Sequence, residues 1–289
     1  MPWSCGYGHA RGISGWFGYR LKWTRSPGRR GLTTELLHPE DSPLIKYRAT
    51  LDVPAELLRF VTRLLIAERR DRGTPAGSRA LTCHEQAILV LRRFRDRTRI
   101  DQLGRDHGIS RATAYRYVDE GTEVLAARAP GLHQALERAR EEGVPFVILD
   151  GKLFASDRLA EQVTSVKGEE IDAWYSGKHH QPGGNVQAVM LPGGLPIWTS
   201  EAEPGHVHDI TAARAHALPA LYRAASLGMP TLADCGYEGA GIGIHVPVKN
   251  PGGNQELAIG NRARNRLLCG LRFQGERGFA LLTRRWTVL

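Results

Sequence analysis

Two short apolar runs in the second half of the chain, 146–149 and 231–233, each lead straight into an acid and a glycine turn: Asp150 in ILDGK and Asp234 in ADCGYEG. A brief uninterrupted apolar run bounded by turn residues reads as a buried strand, so the two acids stand at strand ends. Around them, 144–149 is a strand, and 185–191 and 195–200 form a hairpin through Pro192, Gly193 and Gly194. A helix over 211–225, short strands over 231–233 and 244–248, and a largely helical stretch over 261–286, broken near Gly270 or Gly275, complete the order. Strand, hairpin, helix, strand and helix in that sequence suit an α/β layer domain, a mixed sheet flanked by helices.

Upstream the period changes to that of a helix. Leu57, Leu58, Val61, Leu64 and Leu65 predict a helix over 54–70, closed by a loop containing Gly73, Pro75 and Gly77. Thr82 with Glu85 three residues on forms a capping-box signature before Ala87, Ile88, Val90, Leu91 and Phe94. A short segment over 100–107 ends at Gly108, and Ser110 is an N-cap for a helix opening Arg111, Ala112, Thr113, Ala114, Tyr115, Arg116. Helix, glycine turn and serine-capped helix are the geometry that sets a recognition helix in a major groove. Arg111 then pairs with guanine edges or phosphate, Ser110 and Thr113 donate to phosphate oxygens, and Arg116 lies on the same exposed turns. Arg92, Arg93, Arg95, Arg97 and Arg99 add a strip for backbone phosphates. The plainer alternative is a helical hairpin with a solvated basic face.

Composition narrows the partner. The chain of 289 residues carries a net charge of +9, and residues 1–80 hold 14 basic against 7 acidic side chains, whereas the remainder is near balance. A basic arm on balanced domains suits polyanion binding, although a GC-rich genome, which favours arginine over lysine, yields the same totals. Residues 1–44 show no sustained period and are expected to form a poorly ordered basic extension. No apolar run approaches the roughly 20 residues of a membrane span, and the start lacks a signal-peptide pattern, so a cytoplasmic protein without a membrane partner is expected. The four cysteines are scattered without a CxxC pair, which argues against a zinc knuckle or a disulfide framework. Cys235, beside Asp234, is read as a small filler rather than a nucleophile.

A third acid, Glu276, lies in GERGFALLTRRW, where Phe279, Leu282 and Trp286 mark a helical stripe. Phosphodiester cleavage needs an activated water and neutralisation of charge on the attacking and leaving oxygens, which two divalent ions supply together. Magnesium takes a few carboxylates and keeps waters, so Asp150, Asp234 and Glu276, remote in sequence, are candidate metal ligands, with manganese as an alternative ion. Each acid alone has a bland reading: an Asp-Gly turn for the two aspartates, a solvated helix face for Glu276. Lys178, with His179 and His180 in a glycine-bounded loop, is placed to hold a phosphate or else forms a solvated turn. His206 and His208, two residues apart, leave a histidine-carboxylate metal site as a minor alternative.

Taken in order, the helix-turn-helix, ILDGK, WYSGKHH with NVQAV, GHVHDI, ADCGYEG and GERGFALLTRRW resemble the DDE-superfamily transposases, in particular the IS5-like and Harbinger-like branch. The resemblance covers residues 50–289. It implies an RNase H-like catalytic domain over 144–289, a helical DNA-binding domain over 45–143, and a magnesium-dependent endonuclease and strand-transfer activity on double-stranded DNA. The partners it implies are terminal inverted repeats and a target site, with a homo-oligomer assembled on the DNA. The family's acids fall on Asp150, Asp234 and Glu276. Asp209 rivals Asp234 but is read as a supporting residue or helix cap, because it opens the 211–225 helix, where a carboxylate complements the dipole. Relatives continue past the position of Leu289, so a C-terminal truncation is expected. A non-catalytic or degenerate transposase-derived DNA-binding protein is the competing function, and a general metal phosphoesterase a third.

Overall fold

The sheet that carries both aspartates is mixed. The structure, a computed structural model, describes residues 19–26, 29–36, 50–165, 167–252 and 256–287. It divides into two units, Met1–Thr50 and Leu51–Leu289. In the first, β1 (Tyr19–Ser26) pairs antiparallel with β2 (Arg29–Leu36). The poorly ordered basic extension expected over 1–44 contains these two strands, and its remainder lies outside the described residues. Tyr19, Leu21 and Trp23 alternate with Arg20, Lys22 and Thr24, a period of 2 too brief to stand out among the glycines around it.

The second unit opens with five helices: α1 (Ala55–Asp71), α2 (Cys83–Asp96), α3 (Ile100–Asp106), α4 (Arg111–Ala126) and α5 (Leu132–Glu141). Their starts follow local chemistry. Thr82 accepts from the Glu85 amide and Glu85 accepts from the Thr82 amide, so the capping box forms as expected. Ser110 Oγ accepts from the Thr113 amide at 3.1 Å to open α4, and Gly108 ends α3 at a φ of 64° that side chains disfavour. Two apolar clusters hold these helices together. One joins Leu89 and Val90 to Leu103, Ala114 and Tyr117; the other joins Val61, Leu65, Ala87, Leu91 and Val124.

After α5 come β3 (Val147–Ala155), the β4 (Gln162–Thr164) and β5 (Glu170–Asp172) pair, β6 (Tyr175–Ser176), β7 (Gln181–Met190), β8 (Pro196–Thr199) and β9 (Glu203–Pro204). Then follow α6 (Asp209–His216), α7 (Leu218–Ser226), β10 (Thr231–Leu232), β11 (Ile244–His245), α8 (Ile259–Arg272) and α9 (Gln274–Ala280). The main sheet runs β11-β10-β3-β7-β6, with β8 and β9 also pairing with β7. β3 and β7 are antiparallel, whereas β10 lies parallel to both β3 and β11. The β7–β8 hairpin forms as expected. The expected single helix over 211–225 is two helices, parted at Ala217, where Pro219 starts a new first turn.

Alternation along β3 sorts side chains onto two faces. Val147 and Leu149, with Val189, pack under Leu132, Leu136, Ala213, Leu218 and Leu221 of α5, α6 and α7. Ile148, with Ala188 and Met190, packs under Phe279 of α9. Beyond α9 the chain widens into a π-helical turn, Leu281–Arg285, and Trp286 joins the cluster around Val61 and Leu65. Arg95 donates to the Arg285 carbonyl at 2.9 Å, and Thr287 donates to the Arg95 carbonyl at 3.0 Å, which ties the end of α9 to α2.

Candidate active site

Asp150 does not end its strand, as the sequence suggested. It sits fourth of nine residues in β3, opposite Ala188 on β7. Only the first half of β3 is uniformly apolar, because only that half is covered on both faces, and the hydrophobic run therefore stops before the strand does.

Asp234 follows β10, whose Thr231 and Leu232 lie level with Val147 and Ile148 of β3. Two residues further along each chain are Asp234 and Asp150. Ala233 packs on the α5–α7 side with Leu149, so the intervening alternation turns both aspartates to the opposite side, toward α9. Asp234 is then folded into a tight turn, its Oδ1 accepting from the Gly236 amide at 2.8 Å. Asp150 is mostly buried. Its protein partners are the Gly151 amide, donating to Oδ1 at 3.0 Å, and Arg272 at the end of α8, whose Nη1 lies 3.6 Å from Oδ2. Burial above all, then the charges of Asp234 and Asp209, push the Asp150 carboxyl up to about 6 against the opposing pull of Arg272 and the Gly151 amide.

Asp209 lies on the other face. The position that a Cβ on Gly151 would occupy is 2.6 Å from Asp209 Oδ1, 2.7 Å from Gln187 Nε2 and 3.0 Å from the Tyr237 hydroxyl. Glycine at 151 is what lets these groups close on the strand. They form a continuous chain of hydrogen bonds. The Tyr237 hydroxyl donates to Gln187 Oε1 at 2.6 Å, Gln187 donates to Asn185 Oδ1 at 3.0 Å, and Asn185 donates to Asp209 Oδ1 at 2.9 Å. At the far end Lys178 Nζ donates to Asp209 Oδ2 at 3.2 Å. Burial works against the Lys178 ammonium, but Asp209, followed by Asp234 and Asp150, outweighs it and holds the lysine above its ordinary range. Burial, reinforced by the same three carboxylates, pushes the Tyr237 phenol far up, so it acts as a neutral donor.

The capping role expected for Asp209 is corrected by this geometry. His208 is the N-cap of α6, Asp209 is the first helical residue, and its oxygens turn sideways to Asn185 and Lys178. The helix dipole still favours its charge there.

Glu276 is exposed on α9, one residue from Gly275, whose would-be Cβ lies 4.0 Å from Asp150 Oδ2. The structure thus brings Asp150, Asp234 and Asp209 into one electrostatic neighbourhood, with Glu276 on the adjoining helix and outside the set of charges that act on Asp150. Among the described residues no group of three His, Cys, Asp or Glu side chains is arranged to hold a metal ion. The two aspartates nevertheless fit a hard divalent cation: they are oxygen donors near enough for the charge of Asp234 to act on Asp150, and among the described residues the cation paired with Asp150 is 3.6 Å away. His206 turns Nδ1 to the Ala173 carbonyl at 2.7 Å rather than to a carboxylate.

In the helix-turn-helix region, Ser110, Arg111 and Arg116 are exposed and Thr113 is half-buried. Arg111 lies over the Tyr115 ring, 5.6 Å from its centroid, and the first turn of α4 carries no acid. The arginine strip on α2 is different from the expectation. Arg92 pairs with Asp106 at 2.7 Å, Arg93 donates to the Thr98 carbonyl, Arg95 reaches Asp52 and Arg285, and Arg99 pairs with Asp101 at 3.1 Å, so four of the five are engaged within the fold. Local sequence could not show the partners of Arg95, which come from remote segments.

Residues 150–289 match the family model described as DDE superfamily endonuclease, and residues 79–131 match the one described as helix-turn-helix of DDE superfamily endonuclease. The chain belongs to the DDE superfamily endonucleases. No curated protein and no solved structure matches it. The first residue matched by the endonuclease model is Asp150 itself. For a DDE superfamily endonuclease with its helix-turn-helix, DNA is the implied partner. No helix among the described residues is long and apolar enough to cross a membrane.

Sequence reasoning missed Gly151, Asn185, Gln187, Tyr237 and Arg272. A signal was present for four of them. Asn185 and Gln187 are polar residues two apart in an otherwise apolar strand, which puts both on one face, while Gly151 and Tyr237 flank the two aspartates. Lys152, two residues after Asp150 and so on its face, lies over the Phe279 ring at 5.7 Å.

Proposed function

We propose that this endonuclease is the transposase of an insertion element of the IS5-like and Harbinger-like branch, with an RNase H-like catalytic domain. It binds terminal inverted repeats and performs metal-dependent cleavage and strand transfer. The observation that carries the reading is the approach of Asp234 to Asp150: Asp234 follows β10, which pairs parallel with β3 just ahead of Asp150, and its charge raises the Asp150 carboxyl. Three antiparallel strands continued by two parallel ones support the RNase H-like assignment.

Asp150, Asp234 and Glu276 would hold two magnesium ions, or manganese in their place. Such ions activate a water and neutralise the attacking and leaving oxygens. Asp150 must be ionised to act as a ligand, so the proton that burial retains on it leaves when it binds a cation. Lys178, anchored on Asp209, holds a phosphate beside the acids, and Ser110, Arg111, Thr113 and Arg116 bind duplex. A homo-oligomer on DNA brings two element ends together.

A second reading, a non-catalytic DNA-binding derivative, draws on the exposure of Glu276 and the pairing of Arg272 with Asp150. Nicking of a supercoiled plasmid carrying the repeats that flank the reading frame separates the two. Magnesium-dependent nicking supports the transposase; binding without nicking at any magnesium or manganese concentration supports the derivative.

A further inference from the structure

A recess of about 410 Å³ opens on the face of β3 opposite Asp150, and neither the metal-binding acids nor the recognition helix accounts for it. Its floor is the strand surface at Gly151 and Asn185, made rigid by the chain of hydrogen bonds that ends at Asp209. Its walls are apolar: Leu153 of β3, Ile171 of β5 and Val207 ahead of α6, with the Tyr175 ring, 40% exposed, at the side.

Two polar side chains in the lining supply hydrogen-bonding atoms. Ser176, 4% exposed, carries a hydroxyl. The Nδ1 of His206 is engaged by the Ala173 carbonyl at 2.7 Å, which leaves Nε2 as its second hydrogen-bonding atom. Lys178 lines the same recess, so positive charge accompanies the apolar walls. Asp172, the other acid there, is already paired with Arg158 at 3.2 Å and with the Trp174 amide.

Apolar walls with an aromatic ring, a few convergent polar atoms and a cation form a site for a planar heterocycle bearing a phosphate. The volume lies in the lower part of the roughly 300–1,000 Å³ at which pockets enclose a ligand of small-molecule size, which admits a nucleotide and excludes a duplex. Location selects the source of that nucleotide. β10 pairs with β3 only at Thr231 and Leu232, so beyond Asp150 the edge of β3 away from β7 is uncovered, and a strand with its backbone at the two aspartates reaches the recess round that edge.

We propose that the recess receives one unpaired nucleotide of the DNA strand engaged at Asp150 and Asp234, with its base against Tyr175 and Leu153 and its phosphate at Lys178. This rests on the DNA-cleaving reading above. Extrusion of a base costs least where the strand is already unpaired, so an end or a nick is the favoured ligand.

The test compares, on the full chain in magnesium and on ice, a blunt duplex with the same duplex carrying one unpaired adenine nucleotide. Wild type is expected to bind the overhang about tenfold more tightly, within the range that stacking one base on an aromatic ring contributes. Tyr175→Ala, a change at an exposed ring, and Leu153→Trp, which fills the recess, should each erase the preference and leave blunt-duplex affinity unchanged. An overhang carrying 5-iododeoxyuridine should photocross-link within residues 171–179. Equal affinity of wild type for both DNAs overturns the recess and leaves the cleavage reading standing, as does a preference that survives both substitutions. Failure of wild type to bind either DNA overturns both together.

Discussion

Asp150 and Asp209 are close enough to sense each other's charge, yet they stand on opposite faces of one sheet under different chemistry. Asp209 has a donor on each oxygen, Asn185 on one and Lys178 on the other. Asp150 has a backbone amide on one oxygen and only a distant guanidinium at the other, and burial pushes it up to about 6. The face with Asp209 is complete in itself, whereas the face with Asp150 and Asp234 carries negative charge that the protein does not neutralise. That contrast, rather than the count of acids, marks where a cation belongs.

The largest expected effect breaks the contrast at its centre. Asp150→Ala, Asp234→Ala or Glu276→Ala should lower magnesium-dependent nicking about a thousandfold or more, since several kcal/mol of charge stabilisation is lost. Asp209→Asn, on the completed face, should cost far less, and duplex affinity should survive all four in a mobility-shift titration. Equal losses for Asp209 and Asp150 would erase the distinction.

The two faces should also differ in pH response. Because the folded chain holds the Asp150 proton up to about pH 6 while an unfolded aspartate releases it near 3.8, proton loss favours unfolding between those values. In EDTA, stability should fall as pH rises from about 4 to about 6, by on the order of 2–3 kcal/mol. Asp150→Asn should flatten that slope in denaturant titrations. A wild-type stability that is level over this range would remove the argument.

Next comes the wall between the faces. Gly151→Ala places a methyl group 2.6 Å from Asp209 Oδ1 and 2.7 Å from Gln187 Nε2. Overpacking of this kind costs about 1–3 kcal/mol, measurable as a lower urea midpoint with an unchanged slope. A neutral result would show that the chain of hydrogen bonds yields easily and so does not fix Asp209.

The smallest effect lies outside both faces. Arg111→Ala combined with Arg116→Ala should weaken duplex binding about tenfold and reduce the salt slope by about 2, with nicking per bound complex unchanged. An unaltered salt slope would remove these side chains from the phosphate contacts.

Much of the helix-turn-helix was legible because its signals are local. The Thr82–Glu85 box, Gly108 and the Ser110 cap act within four residues, so a short window holds all the information. The hairpin through Pro192–Gly194 was legible for the same reason. The length of β3 was not, because its second half is covered on fewer sides and loses the continuous apolar pattern. The break at Ala217 was hidden by an alanine-rich stretch that supports one helix or two. Arg95 looked free because Asp52 and the Arg285 carbonyl, its partners, are remote in the chain.

The amino-acid order alone therefore determined which residues form helices and turns in the first half, where the apolar runs lie, and that acids follow two of them. Tertiary structure decided that Asp234 approaches Asp150 while Asp209 stands behind the sheet, that Arg272 faces Asp150, and that Glu276 lies exposed on the neighbouring helix. The physical reason is range. Capping and periodicity operate over one or two turns, but the face a carboxylate takes depends on strand register, and register is set by the packing of segments far apart in the chain.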